Sequence, residues 1–582
     1  MPMKRVVAPQ IDFSVLRREL RLPDEFPAAV LAEAGESARD TPLPEADLTE
    51  VPFLTVDPAG SQDLDQAMHL SRRDGGGYRI RYAIADVFAY VRPGSLVEAE
   101  SWVRGQTIYL PDGRVPLHPP VLSEGAVSLL PDVVRAAVVW TIDLDAVGET
   151  VGVALGRARI RSRAKLDYAG VQQQIDAGTA PDELLLLPEI GTILAERAAD
   201  RGAVNLPLPE QDVERDGDGW RLVLRASLPI EEHNAQISLL TGMAAAQIML
   251  AGGIGLLRTM PAPKPEAVAT LRAAAESLDV PWPPGALVGA VVSSVDPASP
   301  RGAAFLDQAA DLLRGAAYTA FGTTSEPSSP AVPPKSATPA SAAPASAAPA
   351  SAAPASAAPE ISASAAPNAV SIAPESPVST NADAGNAAPG NAGPESARPE
   401  SARPESARPE SARPGDTGPG RSPFEGAGPG SGGGLPAEVG HGGVGAPYAH
   451  VTAPLRRLAD RYATEACLAL FEGRPVPDDV REALGRLPKT MATTDRVAGA
   501  ADRGAIDLAE AVVLEHRVGE TFEVAVLDRD EGNSKRPPGG TVALDDPAVR
   551  AKCAGDLPLG RRIPARLTAA DPSTRTVRFE RL

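Results

Sequence analysis

LTVDPAGSQDLDQAM, residues 54–68, decides how the rest of the chain is read. The run VPFLTVD (51–57) has strand character and ends on Asp57. Pro58 and Gly60 turn the chain, and Asp63 and Asp65 follow six and eight residues after Asp57. Three carboxylates close to one strand end make a hard oxygen cluster of the kind that binds Mg2+. Two such ions can hold both the attacking and the leaving oxygen of a phosphodiester displacement. The bland reading of the same residues is a solvated acidic loop, with Asp63 capping a turn.

Outward from this stretch the signals are mixed. YRIRYAIADVFAYV (78–91) reads as strand, while Leu184–Arg201 and Pro265–Leu278 read as helices. Residues 1–46 read as a charged helical segment with an amphipathic run at Phe13–Leu22, and 447–516 as mostly helical. Strand alternation returns at Glu520–Asp530, Gly540–Leu544 and Arg561–Leu582, which predicts a small C-terminal barrel.

Two basic stretches stand out. In GRARIRSRAKL (156–166) the residues Arg157, Arg159, Arg161, Arg163 and Lys165 recur with period two. On a strand all five face one way, roughly 6.6–6.8 Å apart. Such a ladder suits a phosphate backbone, and equally a solvated face or a charge-protected edge strand. In TAPLRRLADRYATEACLALFEG (452–473), Thr452 and Pro454 predict a helix start that puts Arg456 and Arg457 in the first turn. Cations there oppose the helix dipole and call for an anion, either a phosphate or an internal carboxylate such as Asp460.

The composition sets limits. The chain has 582 residues, is 43% hydrophobic and 23% charged, and contains 53 Gly and 60 Pro without a triplet repeat. A wholly disordered or collagen-like chain is excluded. The net charge of −19 argues against a generic nucleic-acid binder and leaves room only for a local basic groove. Cys467 and Cys553 are too few for a disulfide framework or a thiolate zinc site, and a reducing cytoplasm fits them best. The six histidines are scattered, with no metal-spaced pair. Met1–Leu22 has no apolar targeting core. Asn234–Leu257 lacks charge but holds Asn234, Gln236, Ser238, Thr241 and Gln247, so it reads as a buried core helix, not a membrane span.

Between 323 and 446 the composition changes. PASAA recurs with prolines at 339, 344, 349, 354 and 359, and PESAR with prolines at 394, 399, 404, 409 and 414. A proline at every fifth position forbids a long helix, and Ala, Ser and Gly bury too little area to offset chain entropy. The segment is read as a disordered insertion. It carries eleven acidic and six basic residues, a net of −5, so the remainder of the chain is still at −14.

Taken in order, several segments resemble the ribonuclease II / ribonuclease R (RNB) family of exoribonucleases. They are DPAGSQDLDQA with YAIADVFAYV, TIYLPDGRVPLHPPVLSEGAVSLLPD (107–132), RSRAKLDY (161–168) and APYAHVTAPLRRLADR (446–461). The resemblance implies an α+β fold of mixed sheets and helices enclosing an RNA channel, with a small OB-type β-barrel at the C-terminus. The domain expectation is an N-terminal helical segment (1–46), a catalytic domain in two parts (47–322 and 447–516) split by the insertion, and the barrel (517–582). The implied activity is metal-dependent 3′→5′ hydrolysis of single-stranded RNA to nucleoside 5′-monophosphates in the cytoplasm, with Mg2+ or Mn2+, no organic cofactor and no membrane.

Carried over by position, Asp57, Asp63 and Asp65 are the metal ligands, with Asp65 also catalytic. Arg456 meets the scissile phosphate and Tyr109 stacks on the 3′-terminal nucleotide. Arg157, Arg159, Arg161, Arg163, Lys165 and Arg457 hold RNA. Asp502 sits roughly where the family has a glutamate near the RNA exit. The family's fourth aspartate falls on Gln66, which offers only a neutral carbonyl oxygen, so it is expected to assist rather than to ligate with charge. Fewer than 50 residues precede the catalytic domain, where typical members carry two cold-shock barrels. The clamp aromatic of some members is missing at Leu155–Gly156. Gln66, the missing cold-shock barrels and the net charge of −19 support an alternative, a catalytically weakened protein of this fold that binds RNA or regulates.

Overall fold

The computed structural model describes residues 11–23, 25–206, 210–217, 219–323, 436–533, 535 and 537–582. Helices α1 (Ser14–Glu19) and α2 (Ala28–Asp40) lead into strands β1 (Phe53–Asp57), β2 (Gln66–Arg72) and β3 (Tyr78–Ala85). Helices α3 (Val87–Tyr90) and α4 (Leu96–Arg104), the short pair β4 (Ile108–Leu110) and β5 (Gly113–Val115), and the long strands β6 (Val134–Leu144) and β7 (Thr150–Asp167) follow. The 78–91 stretch therefore divides into strand and a short helix instead of running as strand throughout.

Strands β1, β2, β3, β6 and β7 close into a barrel. Closure is made by β1 against β7 in parallel, with Asp57 opposite Asp167 at the end of the ladder. Alternating apolar side chains fill its inside: Ile80, Tyr82, Ile84, Trp140 and Ile142 are buried completely. The acidic residues of 57–65 thus leave from one rim of a closed, rigid frame.

Helices α5 (Tyr168–Asp176) and α6 (Asp182–Asp200), the hairpin β8 (Glu210–Asp216) and β9 (Gly219–Arg225), and helix α7 (Pro229–Gly252) come next. Of these, α7 is long and apolar enough to cross a membrane. Its Ile230, Ile237, Leu240 and Met249 nevertheless share one core with Trp140 and Tyr82 of the barrel, as expected for a core helix. The chain then forms β10 (Gly255–Thr259), α8 (Pro265–Ser277), α9 (Val288–Ser293), α10 (Pro300–Ala310) and β11 (Ala317–Phe321).

The insertion falls mainly outside the described residues, and its C-terminal boundary shifts. Residues 436–446, read with the insertion, belong to the fold. β12 (Gly440–His441) pairs with β13 (Ala446–Pro447), and His441 also bridges to Met260. The two valines, Val439 and Val444, set among glycines gave no local sign of this; pairing with Met260, just after β10, supplies the order.

Helices α11 (Leu458–Phe471) and α12 (Asp478–Leu514) precede a second closed barrel of β14 (Thr521–Asp530), β15 (Gly539–Leu544), β16 (Val549–Ala554), β17 (Arg562–Asp571) and β18 (Thr576–Arg581). The sequence had marked all but β16, whose arginine and lysine alternate with buried Val549, Ala551 and Cys553. Helix α11 starts at Leu458, not in the 452–456 run. Thr452–Arg457 is a loop and Arg457 is the extended N-cap residue. Both cysteines are free and buried.

Candidate active site

The acidic stretch and the 452–457 loop meet at Asp65. This carboxylate is 4% exposed. Its Oδ1 accepts the Leu455 amide at 2.7 Å, and its Oδ2 faces Arg456 Nε at 3.5 Å. Burial pushes the Asp65 carboxyl well above the usual range, against the pull of Arg456 and the Leu455 amide. Burial likewise pushes Asp57 up to about 7; Arg456 and Lys165 oppose the shift and Asp63 adds to it. Asp63 is held by Arg114 Nη1 at 2.7 Å, and Arg114 also pairs with Glu124 at 2.7 Å.

Tyr109 comes from β4, directly opposite Arg114 in the hairpin register. Ile108 and Leu110 are buried behind it, so strand alternation turns Tyr109 and Arg114 to the side of Asp63. Burial raises the Tyr109 phenol, which stays a protonated hydrogen-bond donor at neutral pH. The backbone couples this strand to the arginine loop: the Thr107 amide donates to the Arg456 carbonyl at 3.0 Å, and the Leu458 amide to the Gly105 carbonyl at 3.0 Å. Gly105 has φ +68°, and a Cβ there would lie 2.3 Å from Thr494 Cγ2, so the turn that delivers Tyr109 requires glycine.

Gln66 differs from the expectation that it assists at the cluster. Its Nε2 donates to the Thr452 carbonyl at 2.5 Å, and its Oε1 accepts from the Tyr82 hydroxyl at 2.9 Å, which itself meets Ser238 Oγ at 2.8 Å. The amide ties β2 to the loop that carries Arg456. A carboxylate could not make the bond to a carbonyl.

The basic strand departs furthest from expectation. Its first four cations alternate with buried Ala158, Ile160 and Ser162 along β7, but protein groups face all five. Arg157 pairs with Asp86 at 2.7 Å and with Glu465, both nearly inaccessible. Arg159 binds Asp47 at 2.8 Å and the Pro44 carbonyl. Arg161 lies 3.4 Å from Glu50, and Arg163 donates to the Thr49 carbonyl at 2.8 Å. Lys165 Nζ donates to the carbonyls of Ala59 and Ser61, and so staples the acidic loop 58–65 to the barrel. Arg157 and Lys165 are spent on the fold, while Arg159, Arg161 and Arg163 stay about a third exposed beside exposed Asp47 and Glu50. Arg457 is likewise taken by the buried Asp460, at 3.0 and 2.7 Å, which was the internal-carboxylate alternative. Asp502 lies on α12, with Arg503 and Asp212 as its charged neighbours.

Sequence reasoning missed Arg114 and Tyr168. The LPDG turn could have found the first, because it fixes a register that sets 114 opposite 109. The Tyr168 hydroxyl accepts from Asn234 Nδ2 at 2.9 Å, and the charge of Asp57 acts on it; no local pattern marks that contact.

The donor chemistry suits a hard divalent cation: oxygen ligands only, in a pocket whose burial leaves Asp57 and Asp65 short of compensation. Among the described residues, no three His, Cys, Asp or Glu side chains converge on one point. Asp57, Asp63 and Asp65 therefore do not form a preassembled three-carboxylate metal cage.

Comparison with known proteins agrees with this architecture. The RNB domain model matches residues 45–308, and the model of the RNase II-type exonuclease C-terminal S1 domain matches 520–582. The class is that of proteins with an RNB domain. The chain carries an RNB domain followed by an RNase II-type C-terminal S1 domain. It is 31% identical over 244 residues to the human exosome complex exonuclease RRP44, a match covering 40% of this chain and 25% of that protein. The chain thus spans about a quarter of that relative's length. The structure of Mycoplasma genitalium RNase R in complex with ribose-methylated single-stranded RNA superposes with TM-score 0.69 at 16% identity, covering 98% of this chain and 77% of that one. Yeast Ssd1, a pseudonuclease, superposes with TM-score 0.57 at 15% identity, covering 92% and 53%.

Proposed function

We propose that the chain is a 3′→5′ exoribonuclease that hydrolyses single-stranded RNA to nucleoside 5′-monophosphates, with Mg2+ or Mn2+ for which Asp57, Asp63 and Asp65 are the candidate ligands, one or two of them at a time together with the substrate phosphate. The observation that carries this reading is the meeting of Asp65 with Arg456 and the Leu455 amide in a buried carboxylate pocket. A divalent ion there supplies charge stabilisation and activation of water at the scissile phosphate.

The chain's own groups do the rest. Arg456 stabilises charge that grows on the phosphate oxygens, in a site where low dielectric strengthens the effect. Asp65, fixed by the Leu455 amide, keeps its second oxygen toward the reacting centre. Tyr109 positions the terminal nucleotide, and Arg114 fixes Asp63 so that its carboxylate does not swing away. Gln66 holds Thr452 and with it the arginine loop.

The second reading is a catalytically weakened RNB-fold protein that binds RNA or regulates. What favours it is that Asp63 and Asp65 both face arginines and that position 66 carries an amide turned to the protein. Incubating the protein with a 5′-labelled single-stranded RNA, with and without Mg2+ or Mn2+ and beside Asp65→Asn, separates the two. A metal-dependent ladder shortening from the 3′ end and lost in the variant is the expected result. RNA binding without shortening establishes the second reading.

A further inference from the structure

The pair β4–β5 is a partition between two environments. Ile108, Leu110 and Val115 sit in the core shared with Phe13 and Leu16 of the N-terminal segment. Tyr109 and Arg114 lie on its other face, with Arg114 on Asp63. Strands of three residues make a hairpin that is marginal by itself, so its geometry depends on what grips it. The grip at the turn comes from α1. Arg17 donates from both Nη atoms to the two oxygens of Asp112, at 2.6 and 2.8 Å. Such a planar fork fixes direction as well as distance.

Helix α1 is itself firmly seated. Phe13 packs edge-on against Trp220 of β9, with ring centroids 5.4 Å apart. Leu16 fills the notch left by Gly504 on α12, where an added Cβ would lie 2.8 Å from its Cδ1. Glu19 accepts Arg575 of the C-terminal barrel at 2.7 Å. Arg17 therefore transmits the position of α1, α12 and the barrel to the turn of the hairpin that carries Tyr109 and Arg114.

We propose that Arg17 is a positioning residue of the active site: its clamp on Asp112 sets where Tyr109 and Arg114 stand, which makes the N-terminal segment a working part of the site. The proposal rests on the exoribonuclease reading for its kinetic consequence and not for its structural one.

The test uses the full chain with Arg17→Asp, Asp112→Arg, the double reversal and Arg17→Lys. Hydrogen exchange of the 108–115 amides and kcat/KM on a 5′-labelled single-stranded RNA with Mg2+ are read together. Each single reversal is expected to speed exchange in 108–115 and to lower kcat/KM about tenfold, the scale of one lost charge-assisted fork. The double reversal, which restores an ion pair, recovers most of both. Arg17→Lys, which keeps charge but not the fork, falls between, and it also reports should a reversal fail to fold. Unchanged exchange in the single variants, or a double variant no better than either, overturns the proposal. A wild-type chain that degrades no RNA defeats the exoribonuclease reading alone, because exchange still decides the clamp.

Discussion

Oδ1 of Asp65 accepts the Leu455 amide across 2.7 Å of space and 390 residues of sequence. The bond joins the part of the fold before the insertion to the part that follows it, and it orients a buried carboxylate whose other oxygen faces Arg456. An acidic loop becomes a site only through that junction.

Asp65→Asn tests the carboxylate without breaking the junction. The Asn carbonyl still accepts the Leu455 amide, so the melting temperature stays close to that of wild type. Losing the charge costs several kcal/mol of barrier, on the order of a thousandfold in single-turnover RNA decay. Undiminished decay would remove Asp65 from the mechanism.

Arg456→Ala removes a charge stabiliser positioned for the phosphate. The expected loss in kcat is on the order of 10²–10³-fold, the range found when a donor to a developing oxyanion is deleted. Rapid-quench kinetics at saturating RNA measures it, and an effect confined to KM would instead assign Arg456 to binding.

Arg157→Ala distinguishes structure from RNA grip on β7. The truncation leaves Asp86 and Glu465 buried without their partner, at a cost of about 3–5 kcal/mol in denaturant unfolding. Arg161, with one long contact to the exposed Glu50, costs within about 0.5 kcal/mol when truncated. A residue on a phosphate lowers the salt slope of RNA binding by about 1, and Arg157→Ala is expected to leave that slope unchanged in chain that remains folded.

Gln66→Glu replaces the donor on Thr452 by an oxygen. Two acceptors then face each other, and the thermal midpoint should fall by the equivalent of about 1–3 kcal/mol. A midpoint equal to wild type would mean that the 452–456 loop is held without Gln66.

Glu510 supplies a pH dependence of stability. It lies buried on α12, where Oε1 accepts Gln211 Nε2 at 2.6 Å and the Arg550 amide at 2.7 Å. Burial pushes its carboxyl up from 4.5 to about 7. Between those values the folded state holds more protons than the unfolded state, so stability is complete below 4.5 and is lost as pH rises through 7. Glu510→Gln keeps the acceptor and abolishes this component, which is worth up to about 3 kcal/mol. Urea midpoints of both proteins from pH 5 to 8 should converge at the acid end and separate at the alkaline end.

Much was legible in the sequence because it follows from local periodicity. Strand alternation put Asp57 at a strand end and the five cations of 157–165 on one face. The uncharged run at 234–257 marked a core helix, which ends at Gly252 with Gly255–Leu257 passing into β10, and alternation after 520 marked a barrel. The segment order around DPAGSQDLDQA pointed to the family.

What periodicity cannot contain is the identity of a partner that arrives from a distant part of the chain. The pattern showed where Arg157 points, but Glu465, 308 residues away, decides that its charge is used up there. Pro454 looked like a helix start, yet Asp65 and Gln66 hold 452–455 as a loop and delay the helix to Leu458. Arg114 joined the site only when a four-residue turn set it beside Tyr109. A buried charge is stable only with a counter-charge or donors around it. Sequence alone therefore determined which faces the charged groups occupy, and tertiary structure decided which of them are neutralised by the fold and which are left for a ligand.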